Sequence, residues 1–440
     1  MMYLSKNKKY QYLFFILILI YSIFNGGNSN LLIQINFLLI SFFYFICLKD
    51  KNYSHNFKYF FKNNKNSIYL YILFLSYLLF QILPLPIDVL KIFSPEKYNY
   101  LLIHRSDLEY SSISLAPSNS FFQFLNFCSM LLLVFILKII FYSERHKNRF
   151  YLFLSFIGFL SAFIATFLYL SGNNDILNFK SFNHSSVSSG FFVNRTVFSI
   201  FLLFCLISSL EYLENFKNIK DKFIVCIYVR IFIIFIAIGL ITTFSRIGNF
   251  LLLNTMLFYL INEIFVKKEK ISIFRNIILF IIILDIFVLG IYFGSSRIID
   301  RFSFLHDDFS EINNMEVNFS RFQLIKFAFN QIYNYPFFGY GTGSFEVLFQ
   351  LKFPNLNNLY ANHAHSDLIQ FIGEFGLIGF LLFFLSILAF FIKLNHNIKN
   401  ILLLFCLIII LLFDFSLHIP FIQILFVIFF TFNQKFTKLS

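Results

Sequence analysis

The sequence predicts an all-α polytopic membrane protein of about twelve transmembrane helices, with a large loop on the outer side between the ninth and the tenth. Three observations carry that prediction. Of 440 residues, 58% are hydrophobic and only 13% charged, with a mean hydropathy of +0.75, more apolar surface than a soluble domain buries around one core. Apolar runs long enough to cross a hydrocarbon core, roughly 17–25 residues as helix, recur along the whole chain. The linkers between them alternate in charge, as the two sides of a membrane demand.

In chain order the predicted spans are 11–26, 31–48, 67–83, 120–142, 150–170, 190–210, 223–243, 247–265, 274–293, 367–392, 399–413 and 418–432, the last two short. Lys and Arg crowd the N-terminal tail (Lys6, Lys8, Lys9), the linkers 49–66, 138–149, 211–222, 262–275 and 393–400, and the C-terminal tail (Lys435, Lys438). By the positive-inside rule, these loops and both termini are expected on the cytoplasmic side. The formal charge of +13 is then mostly topology. No single basic face concentrates it, so no nucleic-acid partner is expected. The first apolar segment lacks a small-residue cleavage site and reads as an anchor. Cys47, Cys128, Cys205, Cys226 and Cys406 all fall inside predicted spans without paired spacing, which indicates neither a disulfide framework nor a zinc site. The chain divides into helices 1–9 (1–293), the large outer loop (294–366) and helices 10–12 (367–440).

The outer side carries three substantial segments, 84–119, 171–189 and 294–366. The last is too long for a plain connection and is expected to fold over the membrane as a lid or a site. Within it, "NFSRFQLIKFAFNQI" (318–332) places Phe322, Ile325, Phe329 and Ile332 at helical spacing, predicting an amphipathic helix in the interface. "YPFFGYGTGSF" (335–345) follows, and Pro336, Gly339, Gly341 and Gly343 make it turn-rich. No strand precedes these glycines and position 344 is Ser, so they are not a nucleotide fingerprint. "HDDFSE" (306–311) reads as a solvated acidic face, and no metal is expected.

The densest titratable cluster is "NHAHSDLIQFIGEFGLIGF" (362–380). Asp367 with Gln370 matches a capping box, and Ser366 is a second candidate cap, so a helix is expected to start there and run inward. Helical periodicity from about 363 would put His363, Asp367, Gln370 and Glu374 on one stripe. Glu374, about two turns below the cap, should face the bundle interior or a wet cavity. His365 would sit on the loop side, pointing at a ligand. Gly373, Gly376 and Gly379 permit close helix approach on another face. Other predicted helices entering from the outside also begin with basic or titratable groups: "FFVNRTVF" gives Arg195, "TFSRIGNF" gives Arg246, and "FDFSLHIP" gives Asp414 and His418. Converging helix N-termini supplemented by arginine make an anion site, with phosphate or diphosphate as the natural ligand. The blander readings are snorkelling arginines, an interfacial histidine, and a transport or structural pair of Arg230 with Asp285.

The motifs "TFSRIG", "SRFQLIKFAFNQIYNYPFFGYGTGSF", "NHAHSDLIQFIGEFGLIGF" and "FDFSLHIP", in this order across a large outer loop, resemble the O-antigen ligase and O-antigen polymerase superfamily of bacterial inner membranes. Upstream, "QILPLP", "SLAPSNS" and "FFVNR" resemble it too, so the likeness covers most of the chain. One departure is visible. Family members often carry a Trp shortly after the loop arginine, where this chain has Ile325 and Phe327.

The resemblance implies a periplasmic active site and a metal-independent glycosyltransferase without cofactor. Such enzymes move a glycan from undecaprenyl diphosphate to a hydroxyl, that of lipid A–core in a ligase or of another carrier-linked repeat unit in a polymerase. It implies Arg195, Arg246 and Arg321 as diphosphate ligands and His365, with His363 second, as general base. Asp367 and Glu374 would orient the site. The expected partners are the carrier-linked glycan, its acceptor and membrane lipids. Ligase and polymerase share this pattern, and the compact histidine motif favours the ligase. A lipid-linked glycan transporter is the alternative from another class. It would be expected to show internal repeats and helices interrupted near the midplane.

Overall fold

The computed structural model describes residues 6–24, 27–48, 58, 60–105, 107–141, 143–171, 188–216, 222–266, 274–287, 321–353, 361–394 and 397–434, and these are largely helical. Helices α1 (Lys6–Phe24) and α2 (Asn30–Leu48) form a hairpin whose second arm is capped by Ser29, its Oγ accepting from the Leu32 N–H at 3.0 Å. After α3 (Lys65–Ile82), the segment 84–119 expected on the outer side is itself folded. It forms α4 (Ile87–Phe93) and α5 (Pro95–His104), tied by antiparallel two-residue strands β1 (Leu85–Pro86) and β2 (Tyr110–Ser111). Burial lowers the Lys97 pKa to about 8, and its ammonium donates to the Ser112 and Ser114 carbonyls, both at 2.6 Å.

The bundle continues through α6 (Pro117–Ile140), α7 (Glu144–Ser171), α8 (Arg195–Phe216), α9 (Phe223–Ile241) and α10 (Arg246–Ile261). A π-helical turn at Asn262–Val266 and a helix α11 over 274–287 follow. Helix α8 is apolar on every side and wholly enclosed, the signature of a central helix. Its neighbours approach closely because small residues meet there: a Cβ on Gly158 of α7 would lie 2.3 Å from that of Cys205. Beyond the bundle lie α12 (Arg321–Asn334) and α13 (Phe345–Lys352), and then α14 (Asp367–Phe391), α15 (Ile398–Phe413), a 3-10 turn (Ser416–His418) and α16 (Pro420–Asn433). Helix α14 packs on α3 and α12, and α16 packs on α6 and α8.

Eight described helices are long and apolar enough to cross a membrane; Tyr12–Ile23, Ile398–Phe413 and Pro420–Asn433 are apolar but shorter. The predicted amphipathic helix exists as α12. Leu324, Ala328 and Gln331 are buried, whereas Phe322 and Phe329 of the predicted stripe are exposed. The alternative of an Arg230–Asp285 pair is not realised among the described residues. Asp285 is buried with both carboxylate oxygens unpartnered among the described residues, and Arg230 makes no ion pair there. All five cysteines are free. "HDDFSE" and the rest of 294–320 lie outside the described residues.

Candidate active site

The site is built on a break in α14. Gly376 has φ 66° and ψ 175°, so the helical hydrogen-bond ladder stops there and leaves backbone groups to be satisfied at depth. The Gly-rich segment supplies them. Tyr340 N–H donates to the Gly373 carbonyl (3.0 Å) and Gly341 N–H to that of Glu374 (3.1 Å), while Leu377 and Ile378 donate to Pro336 (2.8 Å) and Phe337 (3.2 Å). From α3, the Tyr77 hydroxyl donates to the Phe375 carbonyl at 2.6 Å and the Gln81 amide to the Glu374 carbonyl at 3.0 Å. This approach requires glycine. A Cβ on Gly339, whose φ is +71°, would lie 2.3 Å from the Glu374 carbonyl oxygen.

Two residues before the break, the Glu374 carboxylate is buried and accepts from Gly343 N–H (2.9 Å) and Gln370 Nε2 (2.8 Å). The other end of the Gln370 carboxamide accepts from Ala364 N–H at 2.9 Å, so it fastens the histidine loop to the helix. The predicted stripe is therefore assembled, though not by helical periodicity. Helix α14 starts at Asp367, and His363 lies in the preceding coil.

The expected capping box is absent. Ser366 holds the N-cap position without a side-chain cap bond, and Asp367 turns away from its own helix. Its carboxylate accepts from Leu417 N–H at 2.7 Å and pairs with His418 Nδ1, and its N–H donates to the Asp414 carbonyl at 2.9 Å. A charged imidazolium across the bundle is a stronger partner than the backbone amide of N3. His418 also places Nε2 3.6 Å from Glu374 and stacks on Phe371, centroids 4.1 Å apart. Burial opposes its charge, but Asp367 and Glu374 outweigh burial and raise its pKa to about 10.

His363 and His365 are in the opposite state. Both are half-buried, and the buried Nδ1 of each lacks a partner among the described residues. Burial lowers the pKa of His363 to about 3, helped by the charges of His418 and His365. Burial and then Arg321 lower that of His365 to about 4. His365 adopts φ 59°, a left-handed conformation that a non-glycine residue keeps only when its surroundings hold it. The Phe415 ring does so for both histidines. His363 lies flat on it, centroids 4.6 Å apart and 10° between planes, and His365 meets its edge at 5.1 Å and 79°.

Arg321 begins α12 close enough to act electrostatically on both His365 and Asp414. Arg195 and Arg246 form a separate pair. They begin α8 and α10, whose N-terminal ends adjoin, Ser245 Oγ lying 3.3 Å from Thr196 Oγ1. Neither is among the groups that set the charge of His363, His365 or His418, although α8 packs against the Ser416–His418 turn. The histidine cluster is thus of mixed charge, with the carboxylates of Asp367 and Glu374 beside His418. Burial raises the Asp414 pKa to about 6. Among the described residues no His, Cys, Asp and Glu group could hold a metal ion.

Below the 414–418 turn lies an apolar chamber of about 450 Å³. Leu368, Phe371 and Leu417 line it beside the site, and Ser67, Phe390 and Thr431 line it at the far end. Its lining on α14 runs from Leu368, before the break at Gly376, to Phe391 at the far end of the helix.

Sequence reasoning missed three members of this arrangement: the charge of His418, the Phe415 platform and the Gln370 link. "FDFSLHIP" was visible only as a helix mouth, and nothing in its spacing pairs position 418 with position 367. No curated protein matches the chain. Residues 231–384, which hold Arg246, Arg321, the Gly-rich segment, both candidate bases, Asp367 and Glu374, match the family model described as O-antigen ligase, a match that supports membership of the O-antigen ligase superfamily.

Proposed function

We propose that the protein is an O-antigen ligase that transfers a glycan from undecaprenyl diphosphate to a hydroxyl of lipid A–core, at the periplasmic face of a bacterial inner membrane. The shorter apolar helices and α11 would complete twelve crossings, with both termini cytoplasmic. The observation that carries this reading is the position of two neutral histidines, one of them beside Arg321, next to an apolar chamber.

The chemistry follows from those charges. A diphosphate is a good leaving group that needs charge stabilisation rather than a proton, and Arg321 with Arg195 and Arg246 would provide it. The acceptor hydroxyl must lose its proton during attack, and a neutral imidazole accepts it. His365 is the better base. It lies beside Arg321, and its basicity is depressed less than that of His363, which faces the His418 charge. The incoming diphosphate brings negative charge beside both rings and raises their proton affinity when it is needed. A single displacement inverts the anomeric centre. The chamber would take the isoprenoid tail, leaving the glycan at the histidines. The interrupted α14 does not carry a transporter reading, because its freed backbone groups are bonded to the Gly-rich segment and to α3 rather than lining a path.

The test is purified protein supplied with carrier-linked glycan, with and without lipid A–core. Glycan-capped lipid A–core is expected. Carrier-linked ladders of growing length without capping would make the protein a polymerase instead.

A further inference from the structure

His418 is the third histidine of the cluster, and its surroundings set it apart from the other two. Nδ1 is paired with Asp367, Nε2 is 3.6 Å from Glu374, and the ring face is stacked on Phe371. An imidazolium held between two carboxylates has no lone pair to offer a substrate hydroxyl. What it can do is hold its own turn in place. Asp367 grips that turn at three points: its N–H donates to Asp414, its carboxylate accepts from Leu417 N–H, and the same carboxylate pairs with His418. Phe415 lies inside the gripped segment, 8% exposed, and among the described residues is the one aromatic side chain in ring contact with both His363 and His365.

We propose that His418 and Phe415 are positioning residues of the transfer site: with Asp367, His418 fixes the 414–418 turn, and the turn presents the Phe415 ring on which both candidate bases are oriented. The proposal rests on the reading of His363 and His365 as bases. Flat stacking sets the plane of one imidazole and the edge contact sets the other, so their ring nitrogens are aimed before substrate arrives. Prior aiming of this kind is worth most in the reacting geometry, where a displacement of about 1 Å costs about a hundredfold in rate. It contributes little to binding the donor. The loss should therefore fall on kcat rather than on KM.

The experiment measures kcat and KM for an undecaprenyl-diphosphate-linked glycan with wild type, Phe415→Leu, Phe415→Tyr, Asp367→Asn, His418→Gln and the Asp367→Asn/His418→Gln double variant. Leucine keeps the apolar volume and loses the platform. Phe415→Leu is expected to lower kcat about 10–100-fold with KM within about twofold, and Phe415→Tyr to recover most of that loss. The two variants at Asp367 and His418 are expected to be non-additive, the double variant falling no further than the worse single one, because they act through one turn. Phe415→Leu at wild-type kcat would overturn the proposal, as would losses at Asp367 and His418 that multiply. Either result would leave glycan transfer by the wild type standing, so this failure is separable from failure of the functional reading.

Discussion

Three histidines occupy one small volume and carry different charges, and the difference is set by what each faces. His418 faces two carboxylates and is held protonated; His363 and His365 face apolar rings and positive charge and are held neutral. The sign for stability follows. A His418 pKa raised from about 6.5 to about 10 gives stabilisation that is complete below pH 6.5 and lost as pH rises through 10. The difference in Tm between wild type and His418→Gln in detergent should therefore shrink from pH 6.5 to pH 10, and a constant difference would show that the pair is not ionic. The lowered values of His363 and His365 act the other way, costing stability as pH falls from about 6.5 toward 4. The residue types at this site were legible in "NHAHSD" and "FDFSLH". Their charge states were not, because each depends on a partner about fifty positions away or on a ring that no local periodicity announces.

Elements were legible where apolar length alone decides them, as in α8 or α9. They were less so where a helix is defined by what docks on it. Three glycines at three-residue spacing in α14 read as a face for helix approach, but one of them, Gly376, is a break filled by backbone from 336–341. One change tests that joint. Gly339→Ala combines a φ of +71° with a Cβ 2.3 Å from the Glu374 carbonyl oxygen, and it should destabilise the protein by roughly 1–3 kcal/mol, read as a fall in Tm. Val427→Trp places bulk in the chamber and should raise KM for the full-length carrier while leaving a short-chain diphosphate analogue little affected. Equal effects on the two donors would remove the chamber from the binding of the tail.

At the scale of the whole molecule, membrane character and the order of the motifs could be read from composition and spacing, and the family model matches residues 231–384. The grouping of Arg321 with the histidines and of Arg195 with Arg246 could not, since it depends on which helix ends meet. Because charge stabilisation is assigned to arginines, treatment with a chelator should leave transfer unchanged; inhibition reversed by added divalent cation would return attention to "HDDFSE". The central claim is that a neutral histidine on the Phe415 platform takes the proton of the acceptor hydroxyl. Its most direct test is transfer of a labelled glycan from undecaprenyl diphosphate by purified wild type, His365→Ala and His363→Ala, with donor binding measured alongside. The account predicts that His365→Ala binds donor like wild type and transfers nothing, and full transfer by that variant would contradict it.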